Sequence, residues 1–343
     1  MDTKILLSFI VPFYNVEEYI EECIRSLYNQ DIPFSDYEVI AVNDCTMDRS
    51  RDIVIDLQKE FSTLRLIDHD VNKKIGGARN TGLTYATGEY VWFIDSDDFI
   101  KPNVLSSLMK TAIDNKLQIL HFDYVYVTPN GIIEEVYKTN YATELVTGEQ
   151  FIHDSGDLWW KKCTEVWRKL HNREFLISNM FFFEENVFYE DFIYSLKILY
   201  KTDRIIHVPE TPYCYRINPG SFTNSKDTGN KLLESLKLSI RCIDFSSFLQ
   251  SVDIIFQHTL ISFAKLQLDK VKKGLIFLPG KERNIYFEKT KHEKINEIKP
   301  LLRKFDYLLI TNSFLSKVLF LIYKPYFLIK KKIKKQKVFL LKN

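Results

Sequence analysis

Glu89-Tyr90-Val91-Trp92-Phe93-Ile94-Asp95-Ser96-Asp97-Asp98 is the stretch on which the fold turns. Its first part is a short apolar, aromatic run, the signature of a strand buried on both faces of a sheet. Three carboxylates follow within four positions, and like charges so close repel unless a cation or a hydrogen-bond network offsets them. A divalent metal meets that need. Hard oxygen ligands suit magnesium or manganese, and magnesium is commonly held by one or two carboxylates together with substrate phosphates. The Asp-x-Asp alternation lets one carboxylate reach a ribose while the next holds the metal. An acidic turn capping the following helix is the alternative that the same residues allow.

Upstream, two periodicities alternate. Ile5 to Val11 reads as a first strand, and Val16, Ile20, Ile24 and Leu27 recur at helical spacing after it. Tyr37 to Val42 is a second strand, Ile53, Leu57 and Phe61 mark a second helix, Leu64 to Ile67 a third strand, and a helix around Ala78 to Ala86 leads into the fourth strand at Glu89 to Ile94. Downstream, Pro102 stands where a first helical turn tolerates proline, opening a helix to about Asn115, and Gln118 to Val127 is another strand. Such alternation implies βαβ units, hence an α/β fold with a mostly parallel central sheet. Ligands of these sheets bind beyond the carboxyl ends of the strands. That puts weight on Pro12-Phe13-Tyr14-Asn15, on Asn43-Asp44-Cys45-Thr46 and on the acidic loop itself. From Tyr141 to about Asn224 the pattern loosens, with one clear helix at Val187 to Tyr200, and beyond Lys231 the chain reads helical. The expected division is an α/β domain over 1–225 and a helical region over 226–343.

At 343 residues the chain exceeds one domain of about 100–200 residues. A hydrophobic content of 45% supports a packed core, and a net charge of +2 gives no electrostatic case for a nucleic-acid partner. The basic residues gather at the end. No acidic side chain follows Asp306, whereas lysines crowd Lys330 to Lys337. The apolar stretch Phe305 to Ile329 is broken by Asn312, Lys317, Lys324 and Pro325, which argues against a clean transmembrane helix. It fits an interfacial anchor, since lysines near an anionic leaflet contribute about 1 kcal/mol each. A buried helical subdomain with a solvated basic end is the competing reading. The five cysteines are widely spaced without a C-x-x-C pair and read as reduced thiols. The first residues carry no export signal. Together these place the chain in the cytoplasm, peripheral at the inner face of the cell membrane.

Several side chains could carry chemistry. Asp44, at the end of the second strand, suits hydrogen bonds to a nucleobase or sugar, although Asn43-Asp44 is also a common turn pair. The first strand lacks the G-x-G-x-x-G of a dinucleotide site, which disfavours a dehydrogenase. Arg79, after the Gly76-Gly77 pair, and Arg216, before a turn, could grip a diphosphate through the planar guanidinium fork, or serve structural salt bridges. Glu190-Asp191 opens a helix, where acidic residues favour the dipole, and a carboxylate there could take the proton of an attacking hydroxyl.

In order and spacing these segments resemble the family 2 glycosyltransferases, inverting enzymes of the GT-A fold, particularly bacterial members that assemble surface polysaccharides. The resemblance runs from Ile5 to about Ser221. It rests on Ser8 to Asn15, Val42-Asn43-Asp44, Ala78 to Gly82, Gly88 to Val91, Phe93 to Asp98, Tyr189-Glu190-Asp191 and Tyr213 to Ser221. It implies that Pro12, Tyr14, Asn15, Asp44, Asn72, Arg79, Asp95 and Ser96 line the nucleotide pocket, with Asp44 on the uracil edge and Asp95 on the ribose. Asp97 would hold Mn2+ or Mg2+, Asp191 would be the base with Glu190 shaping its charge, and Arg216 and Ser221 would hold the departing diphosphate. The donor would be a nucleotide sugar, a UDP-hexose or UDP-N-acetylhexosamine, and the acceptor a glycan or lipid-linked hydroxyl. Cys45-Thr46 departs from the Gly-Ser usual in the family. A sugar-nucleotide pyrophosphorylase would instead need a glycine-rich basic loop after the first strand. A non-catalytic assembly protein on the same fold would tolerate loss of Asp191.

Overall fold

The computed structural model describes residues 5–128, 133–137, 139, 143–156, 163–218, 228–248, 254–278, 280–290, 293 and 310. The chain divides into two compact units, 1–219 and 220–343. In chain order the first unit contains β1 (Leu7–Phe13), α1 (Ile20–Tyr28), β2 (Tyr37–Asn43), α2 (Ser50–Gln58), β3 (Leu64–Asp68), α3 (Lys74–Tyr85), β4 (Tyr90–Phe93), β5 (Phe99–Ile100), α4 (Leu105–Asp114), β6 (Ile119–Val127), β7 (Ile133–Tyr137), α5 (Gly148–Asp154), β8 (Lys169–Asn172), α6 (Arg173–Ser178), α7 (Glu190–Lys201) and β9 (Ile205–Arg216). The second contains α8 (Thr228–Phe248), α9 (Ile254–Phe277) and α10 (Gly280–Thr290). Its own core joins Leu236, Leu268, Val271, Leu275 and Tyr286.

All nine strands form one sheet in the order β3-β2-β1-β4-β8-β6-β9-β5, with β7 on β6. The α/β sheet expected from the periodicity is present. From β3 to β4 every pairing is parallel, and antiparallel strands enter beyond β4 through β8. The helices that start this sheet bury one face each. In α1, Ile20, Cys23, Ile24 and Leu27 point inward while Glu21, Glu22 and Arg25 stay outside, the 3.6-residue stripe of an amphipathic helix. Beneath lie Phe9, Tyr37 and Trp92, all shut off from solvent, with Phe9 and Trp92 ring centroids 5.6 Å apart. Each such ring contributes roughly 1.5–3 kcal/mol by leaving water.

Two expectations need correction. Pro12 is not in the loop after the first strand but inside β1, opposite Val42 on β2. It is tolerated because β4 pairs β1 only through Ile10, so no donor is required of residue 12 on that side. Pro102 does not open α4, which begins at Leu105. The apolar stretch from 305 to 329, apart from Ile310, and the lysine cluster lie outside the described residues. Among the described residues no helix is long and apolar enough to cross a membrane. Among the described residues the cysteines form no disulfide: Cys23, Cys163, Cys214 and Cys242 are buried and Cys45 is half-buried.

Helix α3 lies against β1 where Gly82 meets Ile10. A Cβ on residue 82 would stand 2.3 Å from the Ile10 Cγ2 atom. Ile10 is fully buried and stiff at its branched carbon, so it has nowhere to move. Gly82→Ala should therefore destabilise the first unit by about 1–3 kcal/mol, read as a lower urea midpoint. An unchanged midpoint would refute this packing.

Candidate functional site

The polar loops at the carboxyl ends of β1, β2, β3 and β4 converge on one rim. Asn15 closes β1 in the left-handed region, φ 51°, a conformation asparagine tolerates better than most residues. Its Oδ1 accepts from the Met47 amide at 2.8 Å and from the Thr46 hydroxyl at 3.0 Å, tying the first loop to the second. Cys45 also takes a positive φ, 63°. The glycine-like backbone is thus kept although the glycine is not. Tyr14 is 43% exposed at the same rim.

Asp44 is buried at 3% exposure, so its partners decide its behaviour. Oδ1 accepts from the Lys73 amide at 2.8 Å and faces His69 Nδ1 at 2.8 Å. Asn72 donates through Nδ2 to the Asp44 carbonyl at 2.8 Å and so clamps the loop.

The acidic loop divides its carboxylates. Asp98 turns inward, accepting from the Tyr213 hydroxyl at 2.6 Å and the Arg216 amide at 2.7 Å. Burial, followed by the charges of Asp97 and Asp95, pushes its carboxyl well above the usual range. It fastens the loop to β9. Asp97 stays half-buried, its Oδ2 accepting from Asn218 Nδ2 at 3.1 Å. Its pKa is also raised, by burial first and then by the Asp95 charge. Ser96 is buried between them. Among the described residues no group of three or more His, Cys, Asp or Glu is arranged to hold a metal by itself.

Arg79 joins this loop to the head of α7. Its side chain is 3% exposed, with Nη2 2.6 Å from Asp95 Oδ1 and Nη1 2.6 Å from Glu190 Oε1. Burial works against the charge, but Asp95, Glu190 and Asp191 outweigh it and hold the guanidinium above its ordinary pKa. The phenyl ring of Phe183 covers it at 5.3 Å. This approach depends on glycine, because a Cβ on Gly76 would sit 2.5 Å from the Glu184 carbonyl oxygen. Asn80 completes the clamp, donating to the Phe183 carbonyl at 2.9 Å and accepting from its amide at 2.8 Å. Of the two readings open for Arg79, diphosphate grip or salt bridge, the geometry is that of a buried bridge.

Asp191 follows Glu190 in the first turn of α7 and is half-buried. The turn before it is strained, since Tyr189 holds φ 56°, a region that costs a bulky residue about 1–3 kcal/mol. Burial, then the neighbouring charge of Glu190, pushes the Asp191 carboxyl up to about 8. A carboxylate with so high a proton affinity near neutral pH is suited to general base work.

Arg216 is sandwiched between Tyr19 and Phe99 at 5.3 and 5.1 Å, donates from Nε to the Asp97 carbonyl at 3.0 Å and pairs with Glu22 at 2.6 Å. Ser221 lies outside the described residues. Tyr213 and Asn218 lie inside a segment that the sequence reading marks without giving them a role, and Glu22 and His69 escape it. His69 could have been found by applying the carboxyl-end rule to β3 as well as to the other strands.

Comparison with known proteins bears on these loops. The family model for glycosyl transferase family 2 matches residues 8–190, more than half of the chain. An uncharacterized glycosyltransferase, EpsJ of Bacillus subtilis, is 37% identical over 227 residues, which cover 64% of this chain and 63% of that protein. A poly(ribitol-phosphate) beta-glucosyltransferase of Bacillus spizizenii is 35% identical over 142 residues, 41% of this chain and 22% of that one. The chain thus spans less than two thirds of either relative. The crystal structure of Staphylococcus aureus TarS 1-349 in complex with UDP superposes with a TM-score of 0.61 at 20% identity, covering 94% of this chain and 92% of that one. At that identity the likeness carries the fold.

Replacing Arg79 by methionine leaves Asp95 and Glu190 facing each other without a cation. Breaking a buried pair in this way should cost about 3–5 kcal/mol, measurable by denaturant unfolding. A loss under about 1 kcal/mol, the worth of a surface ion pair, would overturn the buried-bridge reading.

Proposed function

The chain belongs to glycosyl transferase family 2, and from that premise we propose that residues 1–219 catalyse an inverting transfer from a nucleoside-diphosphate sugar to an acceptor hydroxyl. The donor is a UDP-hexose or UDP-N-acetylhexosamine, and the product belongs to surface polysaccharide or glycoconjugate synthesis. The observation that carries this reading is the Arg79 bridge, which ties the acidic loop to the glutamate adjoining Asp191. Leaving-group side and base side are thereby parts of one construction.

In this reading Asp44 takes the nucleobase, Tyr14, Asn15 and Asn72 border it, and Asp95 meets the ribose. Asp97 offers hard oxygens, and its pKa, raised by burial and by Asp95, marks a place where a cation relieves unfavourable charge. A Mn2+ or Mg2+ held there would neutralise charge on the leaving diphosphate. Arg216, with its guanidinium against the Asp97 carbonyl, and Ser221 hold the diphosphate from the other side. Asp191 accepts the proton of the acceptor hydroxyl as the hydroxyl oxygen bonds the anomeric carbon and the bond to the diphosphate breaks. One displacement inverts that centre, giving a β-linkage from an α-linked donor. Glu190, held to Arg79, stands beside Asp191 and raises the proton affinity of that carboxyl. The apolar stretch and lysines after residue 305 would bring the enzyme to the inner membrane face, where a lipid-linked acceptor is available.

The test is a panel of nucleotide sugars with and without manganese, following nucleoside diphosphate release. Asp191→Asn should lower turnover by about 10²–10⁴-fold with donor binding retained, and undiminished transfer would remove the base assignment. EDTA should suppress turnover, and insensitivity to it would remove the metal from Asp97.

The base must be unprotonated to work. Because its pKa is raised, kcat/KM should rise with pH along an acid limb whose midpoint lies near 8. A midpoint near the ordinary aspartate value of about 3.9 would contradict the environment described for Asp191.

A further inference from the structure

The transfer chemistry leaves one buried titratable side chain at the nucleobase end unused. His69 follows β3, and its side chain is 5% exposed. It is fastened at four points. Its amide donates to the Asn43 carbonyl at 3.0 Å, and its own carbonyl accepts from the Cys45 thiol at 3.1 Å. Nδ1 lies 2.8 Å from Asp44 Oδ1, and Nε2 lies 2.8 Å from the Thr81 hydroxyl on α3.

The donor and acceptor roles follow from the partners. An ionised carboxylate only accepts, so the nitrogen facing Asp44 carries the proton. In the neutral ring Nε2 is then an acceptor and the Thr81 hydroxyl donates to it. Asp44 Oδ1 therefore receives two N–H groups, from His69 and from the Lys73 backbone. Among the described residues Oδ2 receives none.

We infer that His69 is a positioning residue for nucleobase selection: by fixing Asp44 Oδ1 it presents Oδ2 as a lone acceptor. Such an oxygen takes a base with a ring N–H on its pairing edge, uracil or guanine. It refuses cytosine, whose ring nitrogen at that place is itself an acceptor, leaving two lone pairs opposed in a buried site. The inference rests on the reading that Asp44 takes the nucleobase. Thr81 sits two positions beyond Arg79 on α3, so the element that anchors the histidine also carries the bridge between the acidic loop and α7.

Calorimetric titration of the full chain with UDP, GDP and CDP tests this. Wild type should prefer UDP or GDP over CDP by at least about tenfold, as expected where a buried polar group loses its partner. His69→Ala should cut that preference to within about threefold, because the carboxylate is then free to turn. His69→Gln should restore most of it, since the amide can donate to Asp44 and accept from Thr81. Asp44→Asn separates the two levels of the reading. If Asp44→Asn loses the preference while His69→Ala keeps it, the role of His69 alone is wrong. If Asp44→Asn keeps it, or wild type has none, the nucleobase role of Asp44 fails and this inference falls with it. Should His69→Ala not fold, Thr81→Val carries the test: a preference reduced at least about threefold supports the relay, and an unchanged one overturns it.

Discussion

The first unit depends on one buried cation. Arg79 stands between Asp95 and Glu190, residues that reach it from a loop and a helix start 95 positions apart in the chain, and the protein interior gives it little water to fall back on. A guanidinium removed from solvent is costly unless its partners are well placed, and both lie at 2.6 Å. The same fork that stabilises the charge sets the separation of the acidic loop and the head of α7. Any group bound at Asp97 and any hydroxyl approaching Asp191 inherits that separation.

The division of labour inside Asp95-Ser96-Asp97-Asp98 follows from it. Asp98 spends its hydrogen-bonding capacity on Tyr213 and the Arg216 amide, and Asp95 pairs with Arg79, while the charge of Asp97 is moderated by the Asn218 amide and the nearby Arg216 guanidinium. Three residues of one type in one loop thus become an anchor, a link and a half-buried carboxylate at the rim. Composition could not distinguish them. Their neighbours, supplied by β9, α3 and the turn after Arg216, do.

Much of this architecture was readable in advance because the first hundred residues follow local rules. Buried strands announce themselves as apolar runs, and helices such as α1 carry a regular stripe. The loops at the strand ends could be picked out before any side chain was placed. What escaped has identifiable causes. β8 and β9 pair with partners distant in sequence, and their mixed polar and aromatic residues show no clean period, so tertiary context decides them. Pro12 looked like loop because proline usually ends a strand, and only the short β4 explains its place inside β1. Arg79 could be recognised as chemically important, but whether it would meet phosphate or carboxylate depended on the Phe183 to Glu190 segment folding back over Gly76, which no local pattern reveals. His69 belongs to no motif, and only its place after β3 marks it in the sequence. Its meaning comes from Asp44 and Thr81.

The bare faces of α3 have a practical consequence for anyone wishing to re-engineer this chain. Gly76 and Gly82 leave no spare volume against Glu184 and Ile10, so at these two positions the helix that bears Arg79 and anchors His69 is closed to even a methyl group. Latitude lies instead at the outward side chains of Tyr14, Met47 and Val71, which are 43%, 81% and 65% exposed and can be exchanged without disturbing the frame. Evolvability here lies along the exposed rim, while the packed face of the helix stays fixed.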